Sequence, residues 1–167
     1  MKNLDDFTDF ENGEWNGWEN DIGSLDGILK TEEGPEGSTN TFWSGKLECR
    51  PTHRFMPSLA KIFTLPGSEQ EKGKLDTSFK YRIYPPEPGE TTDVAVIITA
   101  DISLSYGAFR IDQRTPIGKW LQSEPLGVRY TGNRPHIVIG TDIGDGTGVS
   151  RKVDIDEIKV VQIPDKK

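Results

Sequence analysis

The amino-acid sequence predicts an all-β protein, built as an antiparallel two-sheet β-sandwich. The 18 Gly and 11 Pro residues interrupt every apolar run before it reaches helical length, and no stretch repeats apolar residues at helical spacing over three turns. The apolar residues between these breaks are mostly β-branched and aromatic, which favours short strands. A chain of 167 residues is long enough for one domain with a single core, so residues 1–167 are expected to form one domain.

Four strands are expected in the first half of the chain, each bounded by Gly, Pro or Asn. A polar stretch of Glu, Gly, Pro, Ser, Thr and Asn separates the second strand from the third, and such a composition is typical of a loop. An irregular segment with two prolines separates the third strand from the fourth. These strands are 4–10, 25–31, 42–49 and 58–65.

Six more strands are expected after the polar tract 68–74, which is predicted to be a surface hairpin loop. The first of them alternates apolar with polar residues at a period of two, so it is half buried. The next is continuously apolar, as a central strand would be. The one that begins at Trp120 is interrupted by Pro125 and Gly127, which indicates an edge strand or a bulge. These strands are 75–84, 94–100, 106–112, 120–130, 136–141 and 153–163.

Charge and cysteine content exclude several kinds of partner. The 27 acidic and 20 basic residues give a net charge of -7, which repels a phosphate backbone and argues against nucleic acid as a ligand. Cys49 is the one cysteine, so neither an intramolecular disulfide nor a thiolate zinc cluster is expected. No membrane span and no secretory signal are expected, which leaves the localisation open between the cell interior, a virion and an extracellular use.

Short motifs follow one another in a fixed order along the chain. An Asp-Phe-Glu motif with a following Gly-Trp stands near the start, and an Ile-Asp-Glu-Ile motif stands near the end. The full set of segments is 9–11, 17–18, 60–67, 78–81, 118–120 and 155–158. This succession, which spans nearly the whole sequence, resembles the galactose-binding-like jelly roll of carbohydrate-binding modules.

This resemblance implies a jelly roll in which a structural calcium ion bridges the two ends of the chain. It implies Glu11 and Asp156 as side-chain ligands, with Glu157 standing where a second Asp is usual. It also implies that Trp18 and Trp120 pack inward.

Asp156 offers an independent argument for a cation. In an extended strand it would share a face with Ile158 and Val160, so either it points at the core or the strand is bulged there. A buried carboxylate is costly unless it is paired, and a hard cation would pair it. The alternative is that Asp156 lies at a sheet end, solvated or accepting backbone N–H groups. Asp9 is a further candidate ligand, with turn capping as its alternative.

Candidate ligand-binding residues are aromatic rings next to turns and donors on strand faces. Trp43 and Trp15 are candidates for stacking on a sugar ring, because pyranose rings present C–H patches that pack on aromatic faces. Tyr84, Arg82 and Arg110 are candidates for hydrogen bonds to sugar hydroxyls. The alternatives are core packing for the tryptophans and a solvated strand face for the others.

The resulting functional hypothesis is a non-catalytic, lectin-like carbohydrate-binding module with one structural calcium site. His53 and His136 have no Ser, Cys or metal-ligand spacing around them, so no catalytic constellation is predicted. A poly- or oligosaccharide is the expected partner. The alternative is a structural or protein-interaction module on the same fold, such as a virion or cell-surface decoration domain that binds a protein partner.

Overall fold

A computed structural model describes residues 3–66, 72–100 and 105–165 of the chain. In these residues twelve strands form two antiparallel sheets, which confirms the predicted sandwich. Helical structure in the described residues is limited to two 3-10 turns, Glu11–Gly13 and Pro35–Gly37, and no helix there is long or apolar enough to cross a membrane. The strands are β1 (Asp5–Thr8), β2 (Glu19–Asn20), β3 (Ile28–Glu33), β4 (Thr39–Cys49), β5 (Phe55–Ile62), β6 (Lys72–Arg82), β7 (Val94–Ala100), β8 (Tyr106–Ile111), β9 (Leu121–Gln122), β10 (Leu126–Thr131), β11 (His136–Asp142) and β12 (Val149–Pro164).

One sheet has seven strands and the other has five. The seven-stranded sheet has the order β10-β6-β12-β4-β3, with β1 also paired to β12 and β9 to β6. The five-stranded sheet has the order β2-β5-β11-β7-β8. Because β1 pairs with β12 from Asp5 opposite Val161 to Thr8 opposite Ile158, the two ends of the chain lie side by side.

The core lies between the sheets and is filled by alternate residues of their strands. On β6 the predicted period of two is confirmed, since Leu75, Thr77 and Phe79 are all buried. β7 is buried along its whole length, as its continuous apolar sequence predicts. Burying a side chain of this size stabilises the fold by about 1.5–3 kcal/mol, so alternate residues fix which face of each strand turns inward. The predicted hairpin loop 68–74 lies largely outside the described residues, and its last three residues belong to β6.

β12 contains a bulge at the position that the sequence left open. Asp156 pairs with Lys80 and Lys159 pairs with Ser78, so β12 has one residue more than β6 between these pairs. Glu157 takes the strain of this extra residue with a left-handed backbone, at φ 46°. After the bulge, Ile158 is again buried in the core. Of the two alternatives that the sequence left open at Asp156, the structure therefore shows the bulged strand.

Candidate functional site

The outer face of the five-stranded sheet has a floor of short side chains. Ala60, Val138 and Thr99 lie opposite one another across β5, β11 and β7, on the side away from the core. All three are nevertheless buried, which means that neighbouring groups rise above them. We call this surface, from Glu19 on β2 to Tyr106 on β8, the recessed face.

Longer, more exposed side chains border the recessed face. Tyr106 lies opposite Thr99 at the β8 edge and is 66% exposed. At the other edge, exposed Glu19 lies opposite Ala60, beside a pocket of about 270 Å³ that Ile62 and His136 also line. Arg110 is exposed on β8, four residues from Tyr106 and therefore on the same side of the sheet. The surface thus combines a short-chain floor, one aromatic ring and hydrogen-bonding groups at both ends.

The outer face of the seven-stranded sheet is organised around Arg82. Its Nη1 donates to Glu32 Oε2 at 2.7 Å, and its Nε and Nη2 donate to Asp154 Oδ2 at 3.1 and 3.0 Å. Tyr84 donates its hydroxyl to the same Asp154 oxygen at 2.6 Å. We call these residues, together with Phe42 and Trp120, the arginine cluster.

Two aromatic rings hold the Arg82 side chain in place. Its guanidinium carbon lies 4.3 Å from the centre of the Trp120 ring and 4.9 Å from that of Phe42. The indole Nε1 of Trp120 donates to Glu32 Oε1 at 2.9 Å, so Glu32 binds both the arginine and the ring above it. Such cation–π contacts strengthen as water is excluded, so the cluster fixes the orientation of its charges.

The cluster shifts the ionisation of its members. Burial and the hydrogen bond to Asp154 raise the pKa of Tyr84 to about 12, so its phenol stays protonated and donates at neutral pH. Although burial opposes the change, hydrogen bonds from Trp120, Arg82 and Asn40 lower the pKa of Glu32. The two groups therefore keep the charge states that the network needs.

Asp156 is a buried carboxylate at the β12 bulge. It is 3% exposed, its Oδ1 accepts the backbone N–H of Glu157 at 2.8 Å, and it has no salt bridge among the described residues. Burial, together with the nearby carboxylates of Glu157 and Glu11, raises the pKa of Asp156 to about 7, although hydrogen bonds from the Glu157 backbone N–H and from Asn40 act in the opposite direction. Lys80 pairs instead with Glu157, at 2.8 Å. A buried carboxylate in this state lacks a compensating positive charge.

Glu11 lies close enough to Asp156 for their charges to interact, as the predicted pairing of the two ligands requires. Its Oε1 accepts the backbone N–H of Thr41 at 2.9 Å. Asp9 accepts the N–H of Glu11 at 3.2 Å, which is the capping alternative, and its ligand role stays a prediction. No group of three or more His, Cys, Asp or Glu side chains suited to a metal is found in the described residues, so backbone carbonyls or waters would have to complete a cation site.

The prediction of a stacking role for Trp43 is wrong. Trp43 is fully buried between the sheets, and its indole Nε1 donates to Asn20 at 2.8 Å. Gly27 and Gly45 leave no room for a side chain beside the ring. The inward face of β4 takes Trp43, so its neighbour Phe42 is the residue that turns outward.

The other tryptophans divide between core and surface. Trp18 is buried in the core, as the resemblance implied. The inward packing implied for Trp120 is wrong, because this ring is half-buried on the outer side of the seven-stranded sheet. Trp15 is also half-buried and packs edge-on against Phe10, with ring centres 6.3 Å apart, so its ligand role stays a prediction.

The candidate donors lie on opposite sides of the sandwich. Arg82 and Tyr84 belong to the arginine cluster, and Arg110 lies on the side of the recessed face. Sequence reasoning places Tyr106 at a strand end, where its hydroxyl can reach water or a ligand, but does not include it among the candidate ligand residues. Glu19 was missed because it lies on a two-residue strand that leaves no periodic signal.

No protein-family model and no curated protein matches the sequence. Solved structures do match the fold. A xylan-binding CBM22-1 domain from Paenibacillus barcinonensis superposes with a TM-score of 0.58 at 12% identity, covering 99% of this chain and all of that one. The CBM22-1 and GH10 modules of a Clostridium thermocellum xylanase, complexed with xylohexaose, give 0.55 at 11% identity, covering 99% of this chain and 29% of that one.

An apo-form cyclase from Fischerella sp. also matches, with a TM-score of 0.53 at 13% identity, covering all of this chain and 91% of that one. The chain therefore has the jelly-roll fold of carbohydrate-binding modules, which confirms the resemblance at the level of fold. Because the same fold also occurs in a cyclase, activity has to be argued from the surfaces.

Proposed function

We propose that this protein is a non-catalytic carbohydrate-binding module that holds a saccharide chain on the recessed face. The observation that carries the proposal is the short-chain floor of Ala60, Val138 and Thr99 between the exposed ring of Tyr106 and the carboxylate of Glu19. Two proteins of the same fold are described as binding xylan or xylohexaose, which supports a β-linked polysaccharide as the first ligand to test.

Recognition on this face would combine stacking with hydrogen bonds. The Tyr106 ring offers a flat apolar surface for the C–H face of a pyranose, while Arg110 donates and Glu19 accepts hydrogen bonds from hydroxyls. From β5 to β8 the face crosses three strand spacings, about 14 Å, which suits a short oligosaccharide better than a single sugar. An open surface of this kind gives weak binding at one site, which repetition along a polysaccharide strengthens.

Affinity electrophoresis in soluble xylan, followed by calorimetry with xylohexaose, tests this proposal. Tyr106→Ala should weaken binding about tenfold, a loss of about 1.4 kcal/mol that matches the removal of one stacked ring. The matched control is Phe7→Ala, which removes another exposed ring, from β1 in the other sheet, and should bind as the native chain does.

Equal binding by Tyr106→Ala and the native chain would contradict the assigned face. No binding of the native chain to xylan or to any glycan of a broad array would contradict the function itself. It would favour the predicted alternative, a structural or protein-interaction module. Release of reducing sugar from xylan would contradict the non-catalytic assignment.

We also propose that a structural calcium ion is bound by Glu11 and Asp156 where the two ends of the chain meet. The support is the buried Asp156 carboxylate, which lies near Glu11 and has no cationic partner among the described residues. Oxygen ligands from carboxylates and carbonyls are those that calcium prefers. The ion would offset the desolvation of Asp156 and tie β12 to the turn after β1.

A further inference from the structure

A groove of about 770 Å³ runs along the outer face of the seven-stranded sheet, beside the arginine cluster. Tyr84 and Asp154 form one side of it, and Ser44, Ile28, Lys30 and Lys152 line the rest. Its size falls within the range of small-molecule sites. It lies on the opposite side of the sandwich from the recessed face, since β3, β4, β6 and β12 belong to the other sheet.

One carboxylate of the groove is held in place through only one of its two oxygens. Asp154 Oδ2 accepts three hydrogen bonds, two from Arg82 and one from Tyr84. Its Oδ1 accepts none from the described residues, although Asp154 lines the groove. Asp154 is 2% exposed, so the orientation of its oxygens is fixed by the protein. A preorganised acceptor at a groove wall suits a ligand hydroxyl.

Stability alone does not account for this arrangement. Burying an ion pair takes two charges out of water, and apolar residues of similar volume serve a fold as well or better. On the outer face of a sheet, solvent was available to both groups, yet Trp120 and Phe42 cover the Arg82 guanidinium and Asp154 is 2% exposed. Oriented charges of this kind gather at functional sites.

The lining of the groove identifies the class of ligand. Two of its three lysines already face carboxylates, since Lys152 pairs with Glu87 at 2.8 Å and Lys46 lies 3.9 Å from Asp26. In all, four carboxylates and three lysines line the groove. The walls therefore offer little net charge to an ion. Two apolar surfaces, the Tyr84 ring at 40% exposure and Ile28 at 53%, stand among these donors and acceptors. Flat apolar contact beside many hydrogen-bonding groups is the chemistry of an uncharged saccharide.

We propose that the groove between Tyr84, Asp154 and Ser44 is a second saccharide site. It rests on the proposed function only in the class of ligand, because it shares no residue with the recessed face. Two sites on opposite sides of one sandwich would let a single module contact two polysaccharide chains. The expected consequence is cross-linking, in addition to attachment.

Amide chemical shifts, recorded during titration of the ¹⁵N-labelled chain with xylohexaose, cellohexaose or mannohexaose, separate the two sites. We expect saturable shifts at the amides of Ser44, Lys30 and Ser150 with at least one probe. Ser44→Trp fills the groove and should remove the shifts at the amides of Lys30 and Ser150. Tyr84→Ala, a second variant that keeps the groove open, should weaken them about tenfold. Tyr106→Ala should leave them unchanged.

The amides of Tyr106 and Val138 report the recessed face in the same spectra. If only these respond, the second site is overturned and the proposed function stands. If only the groove amides respond, the second site stands and the recessed face is wrong. If neither set responds to any of the three probes, both proposals are overturned.

Discussion

Residues on the two outer faces of the sandwich are shielded from solvent in different ways. On the seven-stranded sheet, Arg82 joins Glu32 and Asp154, and two aromatic rings cover the charges. On the five-stranded sheet, Ala60 and Val138 are buried because their short side chains lie below longer neighbouring groups. One face is rigid because its polar groups hold one another, and the other is open because it has few large groups at its centre.

This difference separates the roles of similar residues. Arg82 and Arg110 are both arginines on outward strand faces, but Arg82 is 11% exposed in its side chain and bound to two carboxylates, whereas Arg110 is exposed. Replacing each arginine should therefore show how much the free energy of unfolding depends on the interactions of its face. The same contrast holds for Tyr84 and Tyr106.

The largest effect is expected from Arg82→Met. It leaves the Asp154 carboxylate buried with one hydrogen bond, from Tyr84, and it removes the ion pair of Glu32. We expect a loss of about 3–5 kcal/mol in the free energy of unfolding, measured by urea titration. Arg110→Met is the matched control and should change that free energy by less than about 0.5 kcal/mol. Equal losses in the two variants would contradict the contrast between the faces.

A second contrast lies within β12, where Asp154 has an arginine partner and Asp156 does not. If calcium binds Glu11 and Asp156, calcium at 100 times its dissociation constant should add about 2.7 kcal/mol to the free energy of unfolding. Asp156→Asn should abolish this increment while stabilising the metal-free protein, because it removes a buried charge. Thermal unfolding with calcium and with EDTA measures both effects.

Asp154→Asn is the control for this pair. It should keep the calcium increment and lower stability in both conditions, because Arg82 loses a charged partner. A midpoint that does not respond to calcium in the native chain would overturn the ion site.

Acidification should affect the metal-free protein through Asp156 in an unusual direction. Its pKa is raised from 3.8 to about 7, so the folded state binds the proton more tightly than the unfolded state. The stability due to this group is then fully present below pH 3.8 and is lost as the pH rises toward 7. The free energy of unfolding of the native chain, less that of Asp156→Asn, should decline across this pH window when both are measured in EDTA. A difference that grows with pH would contradict it.

The sequence was sufficient for the long strands and for the anomaly at Asp156, because both depend on local patterns. It did not predict the two-residue strand β2, and the single strand predicted at 120–130 is divided into β9 and β10. Strict alternation identified β6, and the conflict between Asp156 and Ile158 predicted either burial or a bulge. The roles of Phe42 and Trp43 were not predictable in this way. Two adjacent aromatic residues must face opposite sides of a strand, and the long-range pairing of β4 decides which one enters the core.

The arginine cluster was beyond local patterns for the same reason. Arg82 is 50 residues from Glu32 and 72 from Asp154, and Trp120 is 88 from Glu32. Each residue alone is typical of a solvated strand face, so only the strand order of the sheet brings them together. The recessed face is equally non-local, because it depends on short residues from three strands coinciding.

The smallest effect, and the finest comparison of the two faces, is expected from removing single hydroxyls. Tyr84→Phe deletes the 2.6 Å hydrogen bond to Asp154 and should lower the free energy of unfolding by about 1 kcal/mol, since the ring is partly exposed. Tyr106→Phe should leave it unchanged. The raised pKa of Tyr84, about 12, means that its hydrogen bond is fully present below pH 10 and lost as the pH rises toward 12. A pH titration followed by phenolate absorbance should therefore lose its most alkaline step in Tyr84→Phe and keep it in Tyr106→Phe. The reverse result would contradict the assignment of the rigid network to the seven-stranded sheet.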